Sequence, residues 1–197
     1  MTMNAPRLTS SEKLAAVDRL RDKYISTPRD GQFRSYLDRL LQRDEQGNLL
    51  PKPRLYNKAG DARGVAVVEA AGGGKSSLID HGLKTHPALQ PRDALHQPWV
   101  GVRVPSPATA KSLGIEILHA SGYPAVIRAH TEHDIMRKVR EHFKLRGTAI
   151  LWIDEAHDLF GAGSPDGDLA VIYYIELDSD QNGQGNFLLS VTNQDLY

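Results

Sequence analysis

Apolar positions along the chain fall into two rhythms, a helical one near the N-terminus and alternating strands and helices after it. Thr9 and Glu12 have the spacing of a capping box, and behind them Leu14, Val17, Leu20 and Tyr24 recur at helical intervals. They predict a first amphipathic helix. Ser26-Thr27-Pro28 interrupts it, and a second helix from about Asp30 carries Phe33, Tyr36, Leu37, Leu40 and Leu41 on one side. From Asp44 to Asp61, with Gly47, Pro51, Pro53 and Gly60, no period holds, so the stretch reads as a linker. Residues 1–60 are therefore read as an N-terminal helical segment and linker, and residues 61–197 as the core that follows.

The core opens on an apolar strand from Val65 to Glu69, and a helix is expected from Lys75 to about Thr85. Trp99 to Val104 reads as a second strand, closed by Pro105. Ser106-Pro107 has the form of a cap and first-turn pair for a helix through Leu113, Ile117 and Leu118, ended by Gly122. Thr131 begins another helix, with Ile135, Val139 and Phe143 inward and Arg137, Lys138, Arg140 and Lys144 on other faces, and Gly147 stops it. Ala149 to Asp154 is almost wholly apolar, as a strand covered by helices on both faces must be. The βαβ alternation predicts a three-layer α/β sandwich with a parallel sheet, preceded by two helices, with its site at the carboxyl ends of the strands.

Composition narrows this picture only slightly. The chain has 197 residues, 40% hydrophobic and 24% charged, enough for one sizeable domain with a buried core. A formal net charge of zero supplies no global field toward nucleic acid or membrane. Without cysteine there is no disulfide framework, thiolate nucleophile or cysteine zinc site, and no apolar run is long enough to cross a bilayer. A cytoplasmic protein with no membrane partner is expected.

Two short segments carry chemistry. After Glu69, the run Gly72-Gly73-Gly74-Lys75-Ser76-Ser77 joins a strand to a helix through a glycine loop, where backbone N–H groups converge on anionic oxygens. Lys75 would reach the β and γ phosphates of a nucleotide and Ser76 a Mg2+ ion. The first position of this pattern is ordinarily glycine, and Glu69 stands there. Taken alone, such a loop can also be a strand-to-helix turn that binds nothing. The second segment, Asp154-Glu155, closes the last apolar strand; alone it could simply cap the following helix. Phosphoryl transfer needs a phosphate cradle, a metal and a residue that orients water. Jointly the segments offer all three: the loop amides and Lys75, the Mg2+ ligands Ser76 and Asp154, and Glu155 as general base.

With these residues in place, Val68-Glu-Ala-Ala-Gly-Gly-Gly-Lys-Ser76, Val102-Arg-Val-Pro-Ser-Pro107, Ile117-Leu-His-Ala-Ser-Gly-Tyr-Pro124 and Leu151-Trp-Ile-Asp-Glu-Ala-His-Asp-Leu159 together resemble the TniB group of AAA+ ATPases, relatives of the TnsC transposition regulators. The likeness runs from about Tyr24 to Leu159. It implies a P-loop NTPase that uses ATP and Mg2+, oligomerises on DNA and recruits or activates a transposase. By position, Lys75 and Ser76 match the family's nucleotide-binding residues, and Asp154 and Glu155 its metal-binding and hydrolytic pair.

The C-terminal part resembles the family least. Phe187 to Asn193 is a candidate for the strand whose end senses the γ phosphate, with Asn193 as sensor. A later strand, an arginine finger and a helical lid are missing from the sequence, so the core reads as C-terminally truncated, and a hydrolysis-deficient nucleotide-binding adaptor, or a degenerate fragment pairing with a complete partner, is the alternative. Asp154-Glu-Ala-His157 also spells a helicase box, but two motor lobes would not fit in this length, and His157 receives no catalytic role. Trp99 and Trp152 read as core. His81, His86 and His96 flank turns without metal spacing, and the basic helix from Arg137 to Arg146, with Glu132, Asp134 and Glu141 interspersed, reads as a solvated face.

Overall fold

The computed structural model describes residues 9–21, 23–55, 64–124, 131–159 and 186–192, with the backbone alone described at 16, 19–21 and 186–192. Helix α1 (Ser10–Arg21) opens on the expected capping box: the Thr9 N–H donates to the Glu12 carboxylate at 2.7 Å and the Glu12 N–H to the Thr9 hydroxyl at 3.3 Å. Leu14 and Val17 are exposed on it, and Tyr24 lies beyond its end. Helix α2 (Pro28–Leu40) begins slightly earlier than its apolar period suggested. Thr27 caps it, its N–H donating to the Asp30 carboxylate at 2.6 Å, and Pro28 takes the first helical position, where a missing N–H costs nothing. Phe33, Leu37 and Leu40 are buried along its inner face.

The stretch read as a linker begins instead as the turn of an antiparallel ribbon, β1 (Leu41–Arg43) with β2 (Leu49–Pro53). Asp44 organises the turn by accepting the N–H groups of Gln46 and Asn48 at 3.0 and 2.8 Å. Pro51 and Pro53 argue against a strand in sequence, but a two-stranded ribbon leaves outward N–H positions where proline removes no ladder bond.

Among the described residues, four parallel strands form the main sheet: β3 (Gly64–Glu69), β4 (Trp99–Arg103), β5 (Ile150–Asp154) and β6 (Asn186–Thr192), in the order β3-β6-β5-β4. The chain leaves β3, crosses to the far edge to lay down β4, and returns inward strand by strand. Helices α3 (Lys75–Thr85), α4 (Ala110–Ala120) and α5 (Glu132–Arg146) make the connections from β3 to β4 and from β4 to β5 and supply outer layers. Because strand side chains alternate, Val100, Val102, Leu151 and Ile153 all face α4 and α5, where they meet Leu113, Ile117, Ile135 and Val139. The opposite parity packs on α2 and α3: Ile150, with Trp99 and Trp152 half-buried beside it, meets Phe33, Leu37, Ile79 and Leu83. Both tryptophans are thus part of the core, and the three-layer α/β sandwich is the observed architecture.

Helix α4 differs from expectation at its start. Thr109, not Ser106, is the cap, in a box where Ser112 N–H donates to the Thr109 hydroxyl and Thr109 N–H to the Ser112 hydroxyl, each at 3.0 Å. The Ser106-Pro107 peptide is cis and lies ahead of it. Helix α5 keeps its predicted bounds, from a Thr131–Asp134 capping box to Gly147. Among the described residues, no helix is long and apolar enough to cross a membrane.

Helices α2 and α3 touch at Gly82, where an added Cβ would lie 2.5 Å from Phe33 Cε1. Phe33 is buried and cannot swing away. Gly82→Val gains only a few tenths of a kcal/mol in helix propensity against overpacking of roughly 1–3 kcal/mol. A loss of about 2 kcal/mol in urea unfolding is expected.

Candidate functional site

The loop between β3 and α3 turns on two glycines in the left-handed region, Gly72 at φ 76° and Gly74 at φ 82°. Gly74 stands immediately before α3, so the loop delivers its backbone directly to the N-terminal end of a helix, where N–H groups lack intrahelical partners. The first turn of α3 is Lys75, Ser76 and Ser77, which adds no negative charge to that end. Lys75 is 6% exposed. Its ammonium donates to the Glu69 and Ala70 carbonyls at 3.1 and 3.2 Å, and no carboxylate pairs with it among the described residues. A buried cation held by neutral carbonyls alone is costly, and an anionic oxygen in the loop would offset that cost.

Asp154 ends β5, two strand positions from β3, yet the Ser76 hydroxyl donates to both of its carboxylate oxygens, at 3.0 and 3.1 Å. This brings together the two segments that the sequence holds apart. A hydroxyl and a carboxylate in contact are a hard-oxygen set of the kind Mg2+ accepts, together with water and phosphate oxygens. Next in the chain, Glu155 adopts φ 54°, a left-handed backbone that costs a non-glycine residue about 1–2 kcal/mol. Strain of this kind collects where a side chain must be aimed, and Glu155 is aimed at the loop. It lines, with Gly72, Lys75, Ser76 and His157, a cleft of ≈ 390 Å³.

The Glu155 carboxylate is held by Arg103, which sequence reading did not single out, and by His157, which it named without a catalytic role. Arg103, the last residue of β4, pairs with it at 3.4 Å, and His157 Nδ1 approaches it at 3.3 Å while His157 Nε2 faces Asp158 at 3.4 Å. The signal for Arg103 was its place at the carboxyl end of a strand. The parallel register sets it beside Asp154.

Glu69, the residue out of place in the loop pattern, is paired with Arg29 through both guanidinium nitrogens, one contact at 3.1 Å. Arg29 belongs to the N-terminal wall of a second cavity of ≈ 590 Å³, which shares Gly74 and Ser77 with the cleft. In that wall Tyr24 stacks on His81 of α3, ring centroids 3.6 Å apart and planes 8° from parallel. His81 is therefore inside a helix rather than at a turn. Burial and a hydrogen bond to Asp30 push the Tyr24 hydroxyl up to about 12, and the same hydrogen bond, with those from Thr27, holds the Asp30 carboxyl below its ordinary range.

Of the predicted site residues, Gly72, Gly73, Gly74, Lys75, Ser76 and Ser77 form the loop and the start of α3, and Asp154 and Glu155 face them. Asn193, the candidate sensor, lies outside the described residues. The basic helix α5 carries Arg137 between Asp134 and Glu141, at 3.3 and 3.4 Å, as a solvated, internally paired face does.

The family model of the bacterial TniB protein matches residues 21–167. Among solved structures the chain is similar to the ORC2 protein of Aeropyrum pernix in its ADPNP-ADP complexes, with TM-score 0.58 and 16% identity over 87% of this chain and 43% of that one. The ADP form of the same protein gives TM-score 0.54 and 18% identity, covering 89% and 45%. At such identity the likeness carries the fold alone. The chain spans less than half the length of those structures. No curated protein sequence matches it.

Proposed function

The chain belongs to the family of bacterial TniB proteins, and from that premise we propose that it is an AAA+ transposition regulator that binds and hydrolyses ATP, oligomerises on DNA, and recruits or activates a transposase. The observation that carries the nucleotide part is the buried Lys75 ammonium, which has only carbonyl partners among the described residues, beside the Ser76–Asp154 contact. A triphosphate supplies the charge this arrangement lacks.

In this reading the amides of Gly72 to Ser77 and the Lys75 ammonium hold the phosphates, and Ser76 and Asp154 hold Mg2+. The metal, when bound, neutralises charge that develops as the terminal phosphoryl group transfers. Glu155 orients a water and accepts its proton, and the contacts with Arg103 and His157 fix where that carboxylate waits. The cavity between Tyr24, Thr27 and His81 adjoins the loop through Gly74 and Ser77, and is the space for the nucleoside. Transposition and DNA assembly rest on family membership.

The assembly is tested directly by sedimentation velocity. With ATP, Mg2+ and duplex DNA the protein should sediment as species several times the protomer mass, and omission of nucleotide or the Asp154→Asn substitution should return it to the protomer. A protein that stays monomeric with all three components present sinks the proposal of DNA-bound oligomers.

A further inference from the structure

Glu69 stands where the loop pattern asks for glycine, and the fold shows why a side chain is useful there. Its carboxylate accepts from Arg29, which also donates from Nη1 to the Gly73 carbonyl at 3.3 Å. One guanidinium thus grips the loop at its first residue and near its centre. Gly73 provides the room: a Cβ there would lie 2.6 Å from Glu69 Cγ and 2.7 Å from Oε2, although the backbone of Gly73 is not in the left-handed region. At Gly73 the missing side chain thus provides space for Glu69 rather than an unusual turn. Arg29 is also part of a laced segment. Its neighbour Asp30 accepts the Tyr24 hydroxyl and the Thr27 N–H, and Tyr24 stacks on His81.

We propose that Arg29 and Glu69 are a positioning pair, which sets the shape of the phosphate loop and ties it to the N-terminal wall of the nucleoside cavity. It rests on the nucleotide reading above and adds to it a regulation of affinity by residues outside the loop pattern. Arg29 acts through Glu69 and the Gly73 carbonyl, so its loss removes both contacts, and the loss of Glu69 removes one. The contact is half-exposed at Arg29, which limits its worth to the stability of the ligand-free fold. Its effect falls on affinity, because a loop free to take other shapes spends less time in the one that converges on phosphate.

The test is ATP affinity by equilibrium titration with Mg2+, alongside the thermal midpoint of the ligand-free protein. Arg29→Ala should weaken binding about fivefold and Glu69→Ala by as much or somewhat less, and the double variant should be no weaker than Arg29→Ala. Gly73→Ala should weaken binding similarly in the parent background, by displacing the Glu69 side chain, and should have no further effect in Glu69→Ala. The ligand-free midpoints should stay within a degree or two of the parent's, as surface pairs contribute little. Parent-like affinity in Arg29→Ala overturns the inference. So does parent-like binding in Glu69→Ala, for the carboxylate would then have no part in setting the loop. A parent protein that binds no ATP overturns the nucleotide reading and this inference with it.

Discussion

Lys75→Ala is expected to reduce ATP affinity roughly 30-fold or more, the largest binding effect of any single substitution in the chain. Removing one member of a desolvated charge pair costs about 2–5 kcal/mol, because the anionic partner is left in a site arranged for a cation. Each 1.4 kcal/mol is about tenfold in affinity, which places the loss between roughly 30-fold and several thousandfold. The ligand-free protein should not suffer. Its buried ammonium is held by the Glu69 and Ala70 carbonyls without a carboxylate among the described residues, so truncation removes a desolvated charge along with its hydrogen bonds. Two measurements then move in opposite senses: ATP binding collapses in isothermal titration while the thermal midpoint without nucleotide holds or rises. Undiminished binding would remove the loop from the account, and the function with it.

Glu155→Gln is expected to lower ATP turnover by roughly 100-fold to 10,000-fold with affinity retained, the range that general-base catalysis contributes. Glutamine preserves the shape of the side chain and one acceptor oxygen but cannot accept the proton of the attacking water. Because Glu155 lines the cleft opposite Lys75 and Ser76, the substitution leaves the phosphate cradle intact. The measurement is phosphate release with and without DNA, beside a binding titration of the same preparation. If the parent binds ATP with no turnover that DNA or the substitution can change, the chain is a nucleotide-binding adaptor and the hydrolytic role of Glu155 is wrong.

Much of this site was legible in the sequence because each half of it is contiguous. A strand, a glycine turn and a lysine at a helix start are local features, and so is an apolar strand ending in two carboxylates. Helix starts were legible where the cap and its reciprocating partner are three residues apart, as at Thr9 with Glu12 and at the start of α5. At α4 two signals competed. Ser106-Pro107 has the look of a cap, but Thr109 has a side chain three residues on that returns the hydrogen bond.

What could not be read are the meetings of distant residues. Arg29 with Glu69, Arg103 with Glu155 and Tyr24 with His81 depend on strand order and on which helix covers which face. No periodicity records those facts. Glu69 appeared as a defect because its partner lay in another element, and the ribbon of β1 and β2 was obscured because its prolines occupy strand positions where they do no harm.

The position of β6 has a temporal consequence. Strands β3 and β5, which carry the loop and the acidic pair, never touch; each is paired with β6, which is made last of the three. During synthesis Lys75 and Asp154 are both joined to the chain before the strand that sets their spacing. Until β6 inserts, no ladder fixes β3 relative to β5, and Ser76 has no fixed distance to Asp154. The proposed nucleotide site is thus a report on the completeness of the sheet: a nascent or locally unfolded molecule without that central strand holds the letters of the site but lacks its geometry.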